Sequence, residues 1–282
     1  MGLEAAQRGD PAAAMRLGRE AGENRRGIMN IRIAFFILIC LICAGGMAAA
    51  EDNAVLAGID AQVFYTSDFS AEYTITQYKP NQGSSVTTAA LFRRDPADKY
   101  LILILEPEID KGKGYLKIAN NLWLYDPVSR RFNVTSARDR FENSNAANAD
   151  FTRSTLAADY TIVNETREQL GVYNTRVYML EARHNEVTYP KMKIWVDENE
   201  LVRKFEDYSL SGQLLRTTAI PRYLIVGDRY VPVHIVIVDA LRGAEVDGKF
   251  QNERTIITVE KPGFSPLPDL LFTKAYLERV SR

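Results

Sequence analysis

The chain has 282 residues, 46% of them hydrophobic and 25% charged, with 35 Lys and Arg set against 36 Asp and Glu. A net charge of −1 gives no electrostatic case for nucleic acid or an anionic membrane surface. Both cysteines, Cys40 and Cys43, precede residue 51, so the remainder contains no disulfide, thiol nucleophile or cysteine metal ligand.

Residues 1–28 are rich in Ala, Gly and Arg without apolar periodicity, and are expected to be a mis-called or disordered extension with Met29 as the true initiator. Residues 29–50 read as a signal peptide. Arg25, Arg26 and Arg32 supply the basic start, Ile33 to Ala44 the apolar stretch, and Ala48-Ala49-Ala50 a cleavage site before Glu51. A retained anchor is the competing possibility, because the apolar or small run from Ile33 to Ala50 approaches the ~20 residues that span a bilayer. Acylation of Cys40 or Cys43 is disfavoured by the Ile that precedes each. Arg25-Arg26 is a weak match to a twin-arginine signal. Cleavage would leave 51–282, enough chain for one core and one domain, delivered to the periplasm.

Along that domain, Val55, Leu56, Ile59, Val63 and Phe64 recur at helical spacing and predict a short amphipathic helix. The period then drops to two. Residues 73–78 and 86–94 flank the turn Pro80-Asn81-Gln82-Gly83-Ser84 and predict a hairpin. After the Asp95-Pro96 turn, the apolar run from Tyr100 to Leu105 predicts a strand buried on both faces. Further strands are expected over 115–118, 122–125, 132–136, 160–166, 173–182, 191–196, 201–208, 214–226, 230–238 and 254–259. Helices are not interleaved among them, which argues for an antiparallel sheet and a mainly β fold. Residues 138–158 are polar and rich in Asn and Ala, and predict a loop carrying one or two short helices across the sheet.

Catalytic and metal-binding chemistry is sparse. His184 and His234 are the only histidines, so a three-His site is excluded. His184 reads as a solvated strand end, while His234, in an alternating run, could face either way. The Gly112-Lys113-Gly114 turn is too short to cradle phosphate. The acidic pairs Asp197/Glu198 and Glu206/Asp207 lie at strand ends and read as solvated. No catalytic residue, metal or cofactor is expected.

Leu122-Trp-Leu-Tyr-Asp-Pro127, preceded by Lys111-Gly-Lys-Gly-Tyr-Leu116, resembles the outer-membrane lipoprotein-sorting protein family of the LolA/LolB-like superfamily. Leu105-Glu-Pro107, Arg130-Arg131, Leu156-Ala-Ala-Asp-Tyr160, Tyr189-Pro-Lys191, Trp195-Val-Asp197 and the closing Leu267-Pro-Asp-Leu-Leu-Phe-Thr273 with Leu277 follow in the family's order. One departure stands out: Asn148-Ala149-Asp150-Phe151 replaces the usual Met-Gly-Ser-Asp-Phe, and the loop there is expected to differ in shape.

The resemblance implies a strongly curved antiparallel sheet forming an incomplete, half-open β-barrel, with an N-terminal helix and short helices covering the concave face. It also implies a monomeric periplasmic carrier that binds acyl chains of lipoproteins or phospholipid and hands them between an inner-membrane transporter and an outer-membrane acceptor. Acyl chains offer no hydrogen bonds, so affinity rests on apolar area at about 25 cal/mol per Å². Expected cavity residues are Tyr73, Ile75, Leu91, Leu101, Leu103, Leu105, Leu116, Ile118, Trp123 and Tyr125, each equally able to serve as ordinary core. Arg93 or Arg94 is the position implied for an arginine that locks the lid, and being adjacent they point opposite ways. The alternative is an envelope module that docks on a protein partner without carrying lipid.

Overall fold

The computed structural model describes residues 53–281, so the extension over 1–28 and the signal peptide over 29–50 lie outside the described residues. Helix α1 spans residues 53–63. The strands are β1 (Phe69–Lys79), β2 (Gly83–Arg94), β3 (Lys99–Glu106), β4 (Gly114–Ile118), β5 (Asn121–Asp126), β6 (Arg131–Val134), β7 (Tyr160–Leu170), β8 (Tyr173–Ala182), β9 (Lys191–Val196), β10 (Val202–Tyr208), β11 (Leu214–Val226), β12 (Arg229–Val246) and β13 (Lys249–Gly263). Two short helices complete the list, α2 (Leu156–Asp159) and α3 (Lys274–Val280).

All 13 strands form one antiparallel sheet in the order β6-β5-β4-β3-β2-β1-β13-β12-β11-β10-β9-β8-β7. Two meanders, β1 to β6 and β7 to β13, are joined where the first strand pairs with the last, with Ile75 opposite Ile257. The edges β6 and β7 do not pair, so the barrel is open, as the fold class expected from sequence requires. Because β6 and β7 are also consecutive in the chain, the segment between them must travel from one edge of the sheet to the other. That segment is the Asn- and Ala-rich excursion. It carries a 3₁₀ turn (Asn148–Phe151) and α2, and it crosses what we call the inner face.

Alternation along the strands gives the sheet two apolar faces. On the inner face, one cluster gathers Tyr73, Ile75, Leu91, Tyr100, Ile102, Ile104, Ile237 and Ile257 with Phe141 and Phe151 of the crossing segment. A second inner cluster packs Leu56 and Ile59 of α1 against Leu156, Tyr178, Leu180, Met192 and Ile194. On the outer face, Leu101, Leu116 and Tyr125 pack beneath Leu271, Phe272 and Leu277 of the C-terminal segment. The run from Tyr100 to Leu105 is thus buried on both sides, its even members inward and Leu101 and Leu103 outward.

The β12–β13 hairpin extends well beyond the expected strands. Asp247-Gly248, both at positive φ, form its tight turn. A bulge between Val238 and Gly243 interrupts the alternation there, which hides the strand from a period-two pattern. Gly243 lies so close to the opposite strand that an added Cβ would collide with the Gln251 carbonyl.

Candidate functional site

A cavity of about 440 Å³ lies at the seam between the two inner clusters. α1 contributes Ile59, Gln62 and Val63; the crossing segment contributes Phe151 and Leu156; the sheet contributes Tyr73, Met192, Val202, Phe205, Ile220, Ile235, Ile237 and Ile257. Ligand pockets of ~300–1,000 Å³ commonly hold one small molecule. Burial of Tyr73 pushes its phenol up to about 12.

Both covers are tied down by specific bonds. The Asp60 carboxylate of α1 accepts the backbone N–H groups of Leu156 (3.0 Å) and Ala157 (2.9 Å) and the Ser154 hydroxyl, joining helix to crossing segment. Farther along that segment, the Asn145 N–H donates to Thr255 Oγ1 on β13 at 2.7 Å, and Thr255 in turn donates to Gln77 on β1. The 3₁₀ turn over Asn148–Phe151 is held by Asp150. Its carboxylate caps the Ala147 N–H and receives both terminal nitrogens of Arg216 on β11, at 2.6 and 2.7 Å.

Arg216 also donates through Nε to Asp207 on β10 (2.6 Å) and stacks 4.6 Å from the Tyr189 ring centroid. Its side chain is 10% exposed. Burial works against its charge, but the carboxylates of Asp150 and Asp207 more than reverse that, and its pKa is raised. Asp207 itself is buried, and so is Asp197, which accepts the Asn199 and Leu201 N–H groups and pairs with Arg203 at 2.7 Å. Both therefore depart from the solvated role expected of them. Strand-end position alone does not reveal a cation arriving from a neighbouring strand. His184 is half exposed beside Asp159 (3.2 Å), as expected.

The ten expected lining residues divide by face. Tyr73 lines the cavity, and Ile75 and Leu91 sit in the adjoining inner cluster. Leu101, Leu103, Leu116, Ile118, Trp123 and Tyr125 instead lie on the outer face under the C-terminal segment, away from the cavity. Leu105 is half-buried and lies outside both the cavity lining and the outer-face cluster. Period-two spacing identifies residues that share a face but not which face it is, and here both faces are apolar. The lining residues on β9 to β13 were missed for the same reason: Met192, Ile220 and Ile237 stand in strands whose alternation looks like ordinary core.

The two arginines are resolved by geometry. Arg93 faces the cavity and donates to the Val63 carbonyl at the end of α1 (3.0 Å) and to Asp95 (2.9 Å), with its guanidinium 4.7 Å from the Tyr65 ring centroid. Asp95, almost fully buried, also accepts the Tyr65 N–H at 2.8 Å. Arg94 turns outward to Asp68 (2.6 Å), Asp269 and the Leu267 carbonyl (2.7 Å), and so holds the C-terminal segment.

Among the described residues, no three His, Cys, Asp or Glu side chains are grouped as metal ligands, and no helix is long and apolar enough to cross a membrane.

The sequence profile of a family described as an uncharacterized protein matches residues 96–279. No curated protein matches. Among solved structures, a LolA superfamily protein from Nitrosomonas europaea is 24% identical with a TM-score of 0.67, covering 80% of this chain and 98% of its own. A putative outer membrane lipoprotein-sorting protein domain from Vibrio parahaemolyticus is 21% identical with a TM-score of 0.71, over 82% of this chain and all of that one. A DUF1329 family protein from Desulfovibrio piger, 15% identical, also reaches 0.71 over 82% of this chain and 99% of its own.

Proposed function

For a chain that belongs to this family of uncharacterized proteins and has the open-barrel fold of the LolA superfamily, we propose a periplasmic carrier that takes up acyl chains of lipoproteins or lipids. The cavity under α1 and the crossing segment is the observation that carries this proposal. Its sheet side offers branched aliphatic and aromatic side chains among charged groups such as Arg93 and Arg216, and that apolar part suits a ligand that binds by burying apolar surface at about 25 cal/mol per Å². Each methylene that enters adds about 0.8 kcal/mol.

Loading requires the covers to move. We assign Arg93 the lid-locking role, because its bond to the Val63 carbonyl fixes the end of α1 against the sheet and would be exchanged on opening. Cargo would pass from an inner-membrane transporter and on to an outer-membrane acceptor. The test is titration of the purified chain with a fluorescent long-chain fatty acid, alongside Ile235→Trp, which fills the cavity from a half-buried wall position. Saturable binding by wild type and its loss in a normally melting Ile235→Trp protein support the carrier. Equal binding by both places the ligand elsewhere.

A further inference from the structure

Besides Arg93, Arg153 and other charged side chains of the cavity wall, two polar residues of the lining stand on one strand. Arg216 and Thr218 follow each other at a spacing of two on β11, so both face inward, and both line the cavity. Arg216 presents its guanidinium edge to Asp150, a residue of the crossing segment rather than of the sheet, in the two-point geometry that guanidinium groups use for carboxylates and phosphates. Thr218 is 8% exposed, and its hydroxyl is buried without a hydrogen-bond partner among the described residues. A buried hydroxyl without a partner is costly, so a ligand oxygen placed beside it would gain a hydrogen bond.

We propose that Arg216 and Thr218 form the headgroup subsite of the cavity, selecting an amphiphile with a carboxylate or phosphate head, and that Asp150 is the chain's own occupant of that subsite when no ligand is bound. This rests on the carrier proposal above and names its ligand class. In the closed state Asp150 satisfies the guanidinium, while Asp207 holds Nε and fixes the plane of the group from the sheet side. An entering anionic head displaces Asp150, takes its two N–H donors and accepts a hydrogen bond from Thr218. The tail then runs along Ile220, Ile237 and Ile257. Displacement of Asp150 also removes the bond holding the 3₁₀ turn to β11, so headgroup binding and release of the crossing segment become one event. A neutral amphiphile of the same length fills the same apolar wall but leaves the Asp150–Arg216 bond intact.

The probes are oleic acid and oleyl alcohol, with acetate and inorganic phosphate as head-only controls, each titrated into the chain as purified after expression from its full gene. Wild type should prefer the acid. Asp150→Asn should tighten oleate by about ten-fold while leaving the alcohol within about two-fold, since only the acid competes with Asp150. Thr218→Val, near-isosteric, should weaken the acid alone, and Arg216→Gln should abolish the preference. If Arg216→Gln fails to fold, Asp150→Asn and Thr218→Val decide. Parallel shifts for acid and alcohol would overturn the subsite, making Arg216 a latch only. So would competition by acetate or phosphate at the strength of oleate, which would indicate a site for small free anions. Tight binding of both probes by wild type without any preference overturns the subsite and leaves the carrier standing, whereas binding of neither removes both.

Discussion

Arg93 and Arg94 are neighbours on β2 that grip opposite faces of the sheet: Arg93 holds the end of α1 through the Val63 carbonyl at 3.0 Å, and Arg94 holds the C-terminal segment through the Leu267 carbonyl at 2.7 Å. One strand end thus anchors the cover of each face.

Arg93→Gln leaves Asp95, whose side chain is 1% exposed, without its cation. Removing one partner of a buried ion pair costs about 3–5 kcal/mol. Arg93 is 12% exposed, so a loss near the lower end is expected in urea unfolding. The mutant should also show faster amide exchange in α1 than in β9 if the Val63 bond holds the helix down.

How far the sequence foretells these features depends on what each one needs. Period-two runs in strands such as Tyr173–Ala182 and Lys191–Val196 locate both elements to the residue, because the two pair without a bulge and the alternation runs unbroken along each. The long hairpin past Val238 escapes the same test, since Asp239 turns its carboxylate onto the Leu241 and Arg242 N–H groups and the bulge breaks the period. The cavity is less legible still. Which side of β3 faces α1 is decided by the path of the crossing segment and of residues 267–280, and neither path is encoded in the strand's own alternation. Arg216 gave no signal, because its partners Asp150 and Asp207 come from other elements, and Asp150 is 66 residues distant in sequence.

Gly114 on β4 has no side chain because Leu277 of α3 occupies that space: an added Cβ would lie 2.4 Å from Leu277 Cδ2. Gly114→Ala is expected to destabilise by about 1–3 kcal/mol through overpacking. Leu277→Ala, which empties a fully buried site, should cost about 2–5 kcal/mol. The double mutant should recover part of the Gly114→Ala cost, so the thermodynamic cycle should give a coupling energy distinguishable from zero. Simple additivity would mean that α3 does not pack there.

Asp68 links acidity to docking of the C-terminal segment. Its hydrogen bonds from Arg94, and to a lesser extent that from the Leu267 N–H, hold its carboxyl below the ordinary value of 3.8 despite partial burial. A depressed carboxyl stabilises the folded state fully above its unfolded pKa, and that contribution disappears as pH falls through the lower folded value. Acidification below about 3.8 should therefore loosen the segment. Trp123, with Lys274 Nζ 4.2 Å from its ring centroid, reports this by fluorescence in a Trp195→Phe background. Asp68→Asn should remove the pH dependence and give a segment already loosened at neutral pH.

Asp60→Ala removes the acceptor for three donors on the crossing segment. Loss of an N-terminal helix cap costs about 0.5–2 kcal/mol. Hydrogen exchange should accelerate over residues 154–160 while the strands of the inner face stay protected, and uptake of a fluorescent fatty acid should become faster because this tie joins the two covers of the cavity. Exchange that accelerates evenly across the whole sheet would show instead that Asp60 supports global stability and not the cover.

The most direct test of the carrier is to purify the chain from cells expressing it, extract it with organic solvent and identify the extract by mass spectrometry, with Ile235→Trp purified in parallel. An acyl lipid near one per chain in the wild type, and absent from the filled-cavity variant, is the predicted result. Lipid-free extracts from repeated wild-type preparations, together with failure to bind added long-chain fatty acid, would contradict it.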